Sequence, residues 1–413
     1  MAKALWGNVY YGKTYAGVIS EMPGGRVEFR YDREYLASQV MPISHTFPLT
    51  EDPYVSESGL HPFFDNLVAE GWLQDAQSRA LRIDRTNRLE LLLVFGGDCA
   101  GAVYVIDPER SPVRIDPDVP EIAAALRSSA SLSGVQPKLF VTKEQNVFRP
   151  TMQGELGTAI AKLPSTIHPY LIELEWLTTK ATKALLVRDP VVELEIAELS
   201  GIADTALIVK RFDRNQGERL HFEEFNTLLG KKSEDKYDGG YEQMGQFIQN
   251  SPACILAEGE RLFRRLLACF LLGNTDAHLK NFAMMHQDGG LRLSPSYDLV
   301  GSAYYKQYNT LALSVTGAEN LRLPDLMPKH LVGLASGFGL SEEVVMLAVQ
   351  DFGKRREAMT KSIEGDLFAP KNLKQDLLAL VEKRWNGTFA LVGTMLSKKR
   401  EKGEKLKGFR KRD

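Results

Sequence analysis

The segment from Glu260 to Val300 constrains this chain more than any other. Leu262, Phe263, Leu266, Leu267, Phe270 and Leu271 recur at helical spacing and predict an apolar helical stripe, which Gly273 terminates. Asn274–Asn281 follows, eight residues of which six are polar, with no glycine or proline to make an ordinary turn. Phe282–Met285 and Leu291–Leu293 read as strands either side of a tight turn at Asp288–Gly290, and Tyr297 and Asp298 come next. A polar loop of this kind is often only a cap and turn. The strand pair and the second acid beyond it favour a chemical role.

The spacing says which role. Asp276 and Asn281 are five residues apart, and Asp298 lies 17 beyond Asn281. Protein kinases set a catalytic Asp and a metal-binding Asn at that same interval, with a hairpin and a second metal-binding Asp after them. Phosphoryl transfer requires a carboxylate to hold the attacking hydroxyl and a magnesium ion across the phosphates, and Asn and Asp oxygens are suitably hard ligands for that ion. Upstream, Lys162 lies in the apolar strand Ala159–Leu163, where a lysine either finds an anion, such as an ATP phosphate, or reaches solvent from an edge. Glu173 and Glu175 on the following helix are its expected ion-pair partners. Ser131–Lys138 sits between a helix and a strand; with one glycine it is neither a Walker loop nor GxGxxG.

Along the rest of the chain, 4–10, 14–19 and 26–31 read as strands, 60–82 and 86–95 as helices, the second capped by Thr86, and 102–106 as a strand. Pro108, Pro112, Pro117 and Pro120 fall within thirteen residues and mark the best linker. The boundaries expected are 1–107 for a mixed N-terminal subdomain, 121–212 for a mixed block with a helix at 121–128, and 213–413 for a mainly helical remainder. Strands are expected at 139–142, 158–163, 191–199 and 205–210, with an amphipathic helix over 169–186.

Composition excludes whole classes. The 413 residues carry 51 Lys and Arg against 53 Asp and Glu, so a basic surface can only be local. It is local at the tail, where Ser397–Asp413 has a charge of +6; a solvated end is the plainer reading and contact with nucleic acid or an acidic partner the sharper one. Three distant cysteines, Cys99, Cys254 and Cys269, suit neither a disulfide framework nor a zinc site and point to a reducing cytoplasm. The longest apolar run, Leu266–Leu272, is seven residues, far short of the roughly 20 needed to span a bilayer. No membrane association is expected, and no repeat suggests a solenoid.

Taken in order, these pieces resemble the HipA family of bacterial toxin–antitoxin Ser/Thr kinases. The resemblance is carried by Leu60–Gly71 (LHPFFDNLVAEG), Gly96–Val103 (GGDCAGAV), Ser133–Lys138 (SGVQPK), Ala161–Pro164 (AKLP), Val209–Arg214 (VKRFDR), Thr275–Asn281 (TDAHLKN) and Ser296–Leu299 (SYDL). It implies an α+β, two-lobed kinase-like fold with an added N-terminal subdomain, an N-lobe and a helical C-lobe. It implies ATP and Mg²⁺, with Asp276 catalytic and Asn281 and Asp298 on the metal. Ser133, Gly134, Val135, Gln136, Pro137 and Lys138 would cover the nucleotide. Lys162 would bind phosphates, with His278, Lys280 and Tyr297 close by, and Lys210, Arg211 and Phe212 would form the hinge beside adenine. Lys210 stands where the family carries Glu, and Pro137 replaces a polar residue. Autophosphorylation on a loop serine, Ser131 or Ser133, would silence the enzyme. The implied partners are a HipB-like helix-turn-helix antitoxin, DNA indirectly through that antitoxin, and a protein substrate such as an aminoacyl-tRNA synthetase. A small-molecule kinase of the aminoglycoside or choline type, and a catalytically inactive corepressor, are the alternatives.

Overall fold

The computed structural model describes residues 4–38, 41–109, 136–152 and 154–398. The expected helix at 121–128, most of the proline-rich linker, Ser131, Ser133, Gly134, Val135 and nearly all of the basic tail lie outside them. The chain divides into two compact units. The first comprises 1–172, 192–236 and 283–286, and the second 173–191, 237–282 and 287–413.

Among the described residues the first unit holds two five-stranded sheets. One is antiparallel, in the order Tyr54–Ser56, Arg26–Tyr31, Thr14–Met22, Trp6–Tyr11, Val103–Ile106. Its strands alternate as a half-buried sheet must: Val9, Ile19, Val27 and Phe29 turn inward onto Phe63, Phe64, Leu92 and Phe95 of the helices. The helical pattern over 60–82 is broken. Pro62–Leu67 ends at Val68, which is extended, and Gly71–Leu81 starts after an extended Glu70. The helix Arg88–Phe95 is capped by Asn87 rather than Thr86: Asn87 Oδ1 accepts from Glu90 N at 3.2 Å, while the Thr86 hydroxyl is spent on Asp84. Asn and Thr are both good caps; the hydroxyl's local turn bond decides between them.

The other sheet is a closed five-stranded barrel of Ala203–Lys210, Ala159–Lys162, Lys138–Glu144, Val147–Pro150 and Leu194–Leu199. Val147–Pro150 was not evident from the sequence. Leu139, Val141, Phe148, Ala161, Leu199, Ala206 and Ile208 fill its core, and Leu73 packs onto the same cluster. Within the stretch expected to be mainly helical, Arg214–Asn215 pairs with Glu218–Arg219, and Phe222–Glu224 pairs with Ala283–Met285.

The second unit is built on the helix Ala257–Leu272, packed by Tyr241–Asn250, Pro328–Gly337 and Lys371–Gly387. Leu262, Phe263, Leu266, Leu267, Phe270 and Leu271 are all fully buried. The helix ends as its sequence requires: Gly273 is left-handed, with φ of 84°, and the amides of Gly273 and Asn274 both bond Cys269 O at 2.8 Å. Arg384 donates to the Leu271 carbonyl at 2.8 Å. A β-carbon at Gly273 would fall 2.5 Å from Arg384 Nη2. Gly273→Ala therefore incurs the left-handed penalty of about 1–2 kcal/mol and also displaces the arginine. The expected result is a thermal midpoint lower by about 2–4 °C for each kcal/mol lost, read by calorimetry.

Candidate active site

The loop after Gly273 is fixed by hydrogen bonds within itself and to the chain at 302–312. Thr275 N donates to Ser302 Oγ at 2.9 Å, its hydroxyl to Tyr308 O at 2.7 Å, and its carbonyl accepts from Ala312 N at 2.8 Å. His278 N donates both to Asp276 O at 2.8 Å and to Asn281 Oδ1 at 2.9 Å. Lys280 N reaches His278 Nδ1 at 3.3 Å, and Leu279–Asn281 closes as a single 3₁₀ turn. Ala277, His278, Leu279 and Lys280 are buried, and Asp276 alone in the loop is exposed. The turn thus presents one carboxylate to solvent from a rigid base.

Asp298 completes the group. Its backbone is left-handed, with φ of 54°, a conformation that Asp tolerates better than most residues. Asn281 Nδ2 donates to Asp298 Oδ2 at 2.8 Å, Asn274 Nδ2 approaches Asp298 O at 3.5 Å, and Tyr297 OH donates to Lys280 O at 2.8 Å. Asn281 Oδ1 accepts one bond from His278 N and keeps a second lone pair. With the Asp298 carboxylate one hydrogen bond away, the two offer the oxygen donors a hard divalent cation takes. The second unit therefore brings together Asp276, His278, Lys280, Asn281, Tyr297 and Asp298.

Tyr237 is the residue that sequence reasoning missed. Its hydroxyl donates to Asp276 Oδ1 at 2.9 Å, and its ring meets His278 edge-on, 5.0 Å between centroids. It lies 39 residues before Asp276, so no local spacing could reveal it.

The first unit carries the other expected residues. Lys162 is buried, and its strand is paired on both sides, with Lys138 and Leu207 as its register partners; the edge-strand alternative is thereby excluded. Gln136 Nε2 donates to Leu163 O at 2.8 Å, and Leu163 N donates to Pro137 O at 2.9 Å. The end of the SGVQPK segment is thus tied to the end of the Lys162 strand. At the far end of the same ladder, Lys210 is exposed and paired with Glu193 at 3.1 Å. Phe212 packs on Phe222 at 4.9 Å, whereas the Arg211 side chain is buried in an ion-pair cluster. The two glutamates on Leu171–Leu185 belong to the second unit, where Glu175 is buried and Glu173 half-buried.

A second group in the first unit resembles a metal site: donor atoms of His221, Glu223 and His286 lie within 4.8 Å of one another. Their hydrogen bonds argue otherwise. Glu223 already accepts from Ser44 Oγ, from His45 N at 2.7 Å and from His286 Nε2 at 2.8 Å. His221 Nδ1 accepts from Ala102 N at 3.3 Å, which leaves its proton, not a lone pair, on Nε2. The trio is a buried strut. Burial pulls His221 down to about 3 and, in the same unit, His61 to about 4. Burial alone would raise Glu223, but the His286 hydrogen bond and both imidazoles hold it below its usual value.

Three comparisons place the chain among known proteins. A model of the HipA-like C-terminal domain matches residues 130–360, and one of the HipA N-terminal domain matches 7–106. The chain belongs to the HipA family. The putative kinase Y4dM of Sinorhizobium fredii is 27% identical to this HipA-family chain over 385 residues, covering 86% of it and 91% of the relative. The Ser/Thr-protein kinase toxin HipA of Shewanella oneidensis is 24% identical, with 86% and 88% covered. The solved complex of that organism's HipA and HipB with operator DNA contains a chain superposing with a TM-score of 0.73 at 21% identity, over 94% of this chain and 99% of that one. The fold is accordingly the α+β, kinase-like fold of HipA. Among the described residues no helix is long and apolar enough to cross a membrane.

The histidines generate a pH prediction for this HipA-family chain. A histidine held at about 3 or 4 when folded, against an ordinary value of about 6.5, contributes stability that is complete above pH 6.5. That stability is lost as pH falls toward the folded value. The thermal midpoint is expected to drop steadily from pH 7 to pH 5, and His221→Gln to flatten that slope.

Proposed function

We propose that this HipA-family chain is an ATP-dependent kinase that phosphorylates a Ser or Thr hydroxyl of a protein and acts as the toxin of a toxin–antitoxin pair. The observation that carries the reading is the second unit's loop, in which an exposed Asp276 is held by Tyr237 and stands five residues from an Asn281 bonded to Asp298. In the proposed reaction the acceptor oxygen attacks the γ-phosphorus of ATP. The bond to the β,γ-bridging oxygen breaks, ADP leaves, and the hydroxyl proton passes to Asp276. Lys162 would neutralise phosphate charge, with His278 and Lys280 as further contacts. Gln136, Pro137 and Lys138, continuing from Ser133–Val135, would cover the nucleotide, and the chain at Lys210–Phe212 would border adenine. Asn281 and Asp298 would hold magnesium, which when bound spreads the charge of the phosphates.

The wider role is part of the same proposal. A HipB-like antitoxin would bind this chain, and DNA through it, as the named components of the Shewanella complex suggest. The protein substrate is proposed to be a translation component such as an aminoacyl-tRNA synthetase. Phosphate on Ser131 or Ser133 would switch the enzyme off, since it adds about −1.5 to −2 charge beside a polyanion. The acidic and amide set serves small-molecule kinases equally well; it is membership of the HipA family, matched in both its domains, that favours a protein acceptor.

Phosphate transfer from labelled ATP by the purified chain, with phosphoproteomics after brief expression, tests this reading. Asp276→Asn is expected to lower turnover about 10²–10⁴-fold while nucleotide binding is retained. Asn281→Ala and Asp298→Ala are expected to shift the magnesium dependence to higher concentration, and an unchanged dependence would remove the metal role. Tyr237→Phe keeps the ring on His278 but deletes one bond to a carboxylate; turnover should fall about tenfold with the ATP KM unchanged.

A further inference from the structure

The motif GGDCAGAV at 96–103 has no part in the reaction just proposed, yet its Asp98 sits at the centre of a dense ion cluster in the first unit. The carboxylate is 2% exposed. It accepts from Arg211 Nη1 at 3.1 and 3.2 Å, from Arg214 Nη2 at 2.6 Å, from Arg219 Nη1 at 3.4 Å and from the backbone amide of Gly157 at 3.0 Å. Asp213 binds Arg211 at 2.8 and 2.9 Å, Arg214 at 2.7 Å and Gly101 N at 2.9 Å. Two carboxylates thus face three guanidiniums.

What Asp98 grips is informative. Gly157 stands two residues before the strand Ala159–Lys162, and Arg211 directly follows the strand Ala203–Lys210 paired with it. Arg211 N donates to Thr158 O at 3.1 Å, so both grips fall at one end of the ladder that carries Lys162. The Arg211 guanidinium also covers the Phe140 ring at 4.1 Å, and a β-carbon at Gly157 would lie 2.6 Å from Phe140 Cβ. Phe140 pairs with Ile160, and Lys138 of the same strand with Lys162. Asp98, Arg211, Phe140 and Gly157 form one packed unit that sets where the Lys162 strand begins and where the Arg211–Phe212 segment leaves the barrel.

We propose that Asp98 is a positioning residue for nucleotide binding: through Gly157 and Arg211 it holds the Lys162 strand and the Lys210–Phe212 segment in the arrangement that receives ATP. The assignment rests on the kinase reading of Lys162 and gives the N-terminal motif a duty in that reaction without contact with substrate.

The charge arithmetic dictates the test. Asp98→Asn alone leaves three guanidiniums facing Asp213, and such a variant can fail to fold. Asp98→Asn combined with Arg219→Gln restores the wild-type balance. It still puts an amide where Gly157 N and Arg211 require an acceptor on both oxygens. The double variant is compared with wild type for ATP KM and kcat, for thermal midpoint and for hydrogen exchange. Expected are a midpoint within a few degrees of wild type and faster exchange at Gly157–Lys162 with the Leu262–Leu272 amides unchanged. The ATP KM should rise about tenfold with kcat held within about threefold, as small misplacements of a binding group produce. Wild-type exchange at Gly157–Lys162 with a wild-type KM overturns the proposal. So does a parallel loss of kcat, KM and midpoint, which marks general destabilisation. If wild type itself turns over no ATP, the kinase reading fails separately, and the exchange comparison alone decides whether Asp98 holds the strand.

Discussion

A helix whose last two turns are buried on every side can end in a functional loop only if its last carbonyls find partners, and the helix Ala257–Leu272 meets that requirement. Gly273 turns left-handed, two amides fold back on Cys269, and Arg384 reaches across from another helix to Leu271. Burial pulls the Arg384 guanidinium down to about 10, the mark of a cation taken out of water. With the helix end settled, the next residues need no help from solvent. Thr275 bonds Ser302 and Tyr308, His278 bonds Asn281, and the exposed carboxylate of Asp276 is left as the loop's one outward-facing charge.

The first unit solves a different problem. Its Asp98 and Asp213 are buried, where an unpaired carboxylate is very costly. Asp98 and Asp213 stay below the usual carboxylate range although burial pushes the other way, because Arg211 and Arg214 stand against them. The surplus guanidinium shows in Arg214, which burial first and Arg211 second pull down to about 10. A cluster of this kind contributes geometry more than net stability, since its Coulomb gain largely offsets desolvation. Its members are fixed relative to one another, and so are the strands they grip.

Much of this was legible in the residues. Leu262–Leu272 announced its helix, Gly273 its end, and the interval from Asp276 to Asn281 its chemistry, because each signal is local. Where sequence failed, the cause was a competing or distant interaction. Leu67, Val68 and Ala69 continue a helical apolar pattern, so the break at Val68 is invisible. Thr86 and Asn87 are both capping residues, and only the Thr86 bond to Asp84 selects the second. Ala159–Lys162 is too short for alternation to separate a central strand from an edge. Tyr237 and Asp98 act across 39 and more than 110 residues, beyond any periodicity, though the motif around Asp98 was visible as a motif.

The strand Phe222–Glu224 has a consequence for synthesis. Its neighbour in the first unit is Ala283–Met285, in register from Phe222 with Met285 to Glu224 with Ala283, and His286 closes the bond to Glu223. The 58 residues between Glu224 and Ala283, with the whole helix Ala257–Leu272 among them, must be made between the two. At roughly 5–20 residues per second on the ribosome, that is several seconds in which Glu223 has no His286 and one edge of the strand is open. The nascent first unit cannot close on its own residues in order; it waits for the segment 283–286, delivered from inside the other unit's sequence.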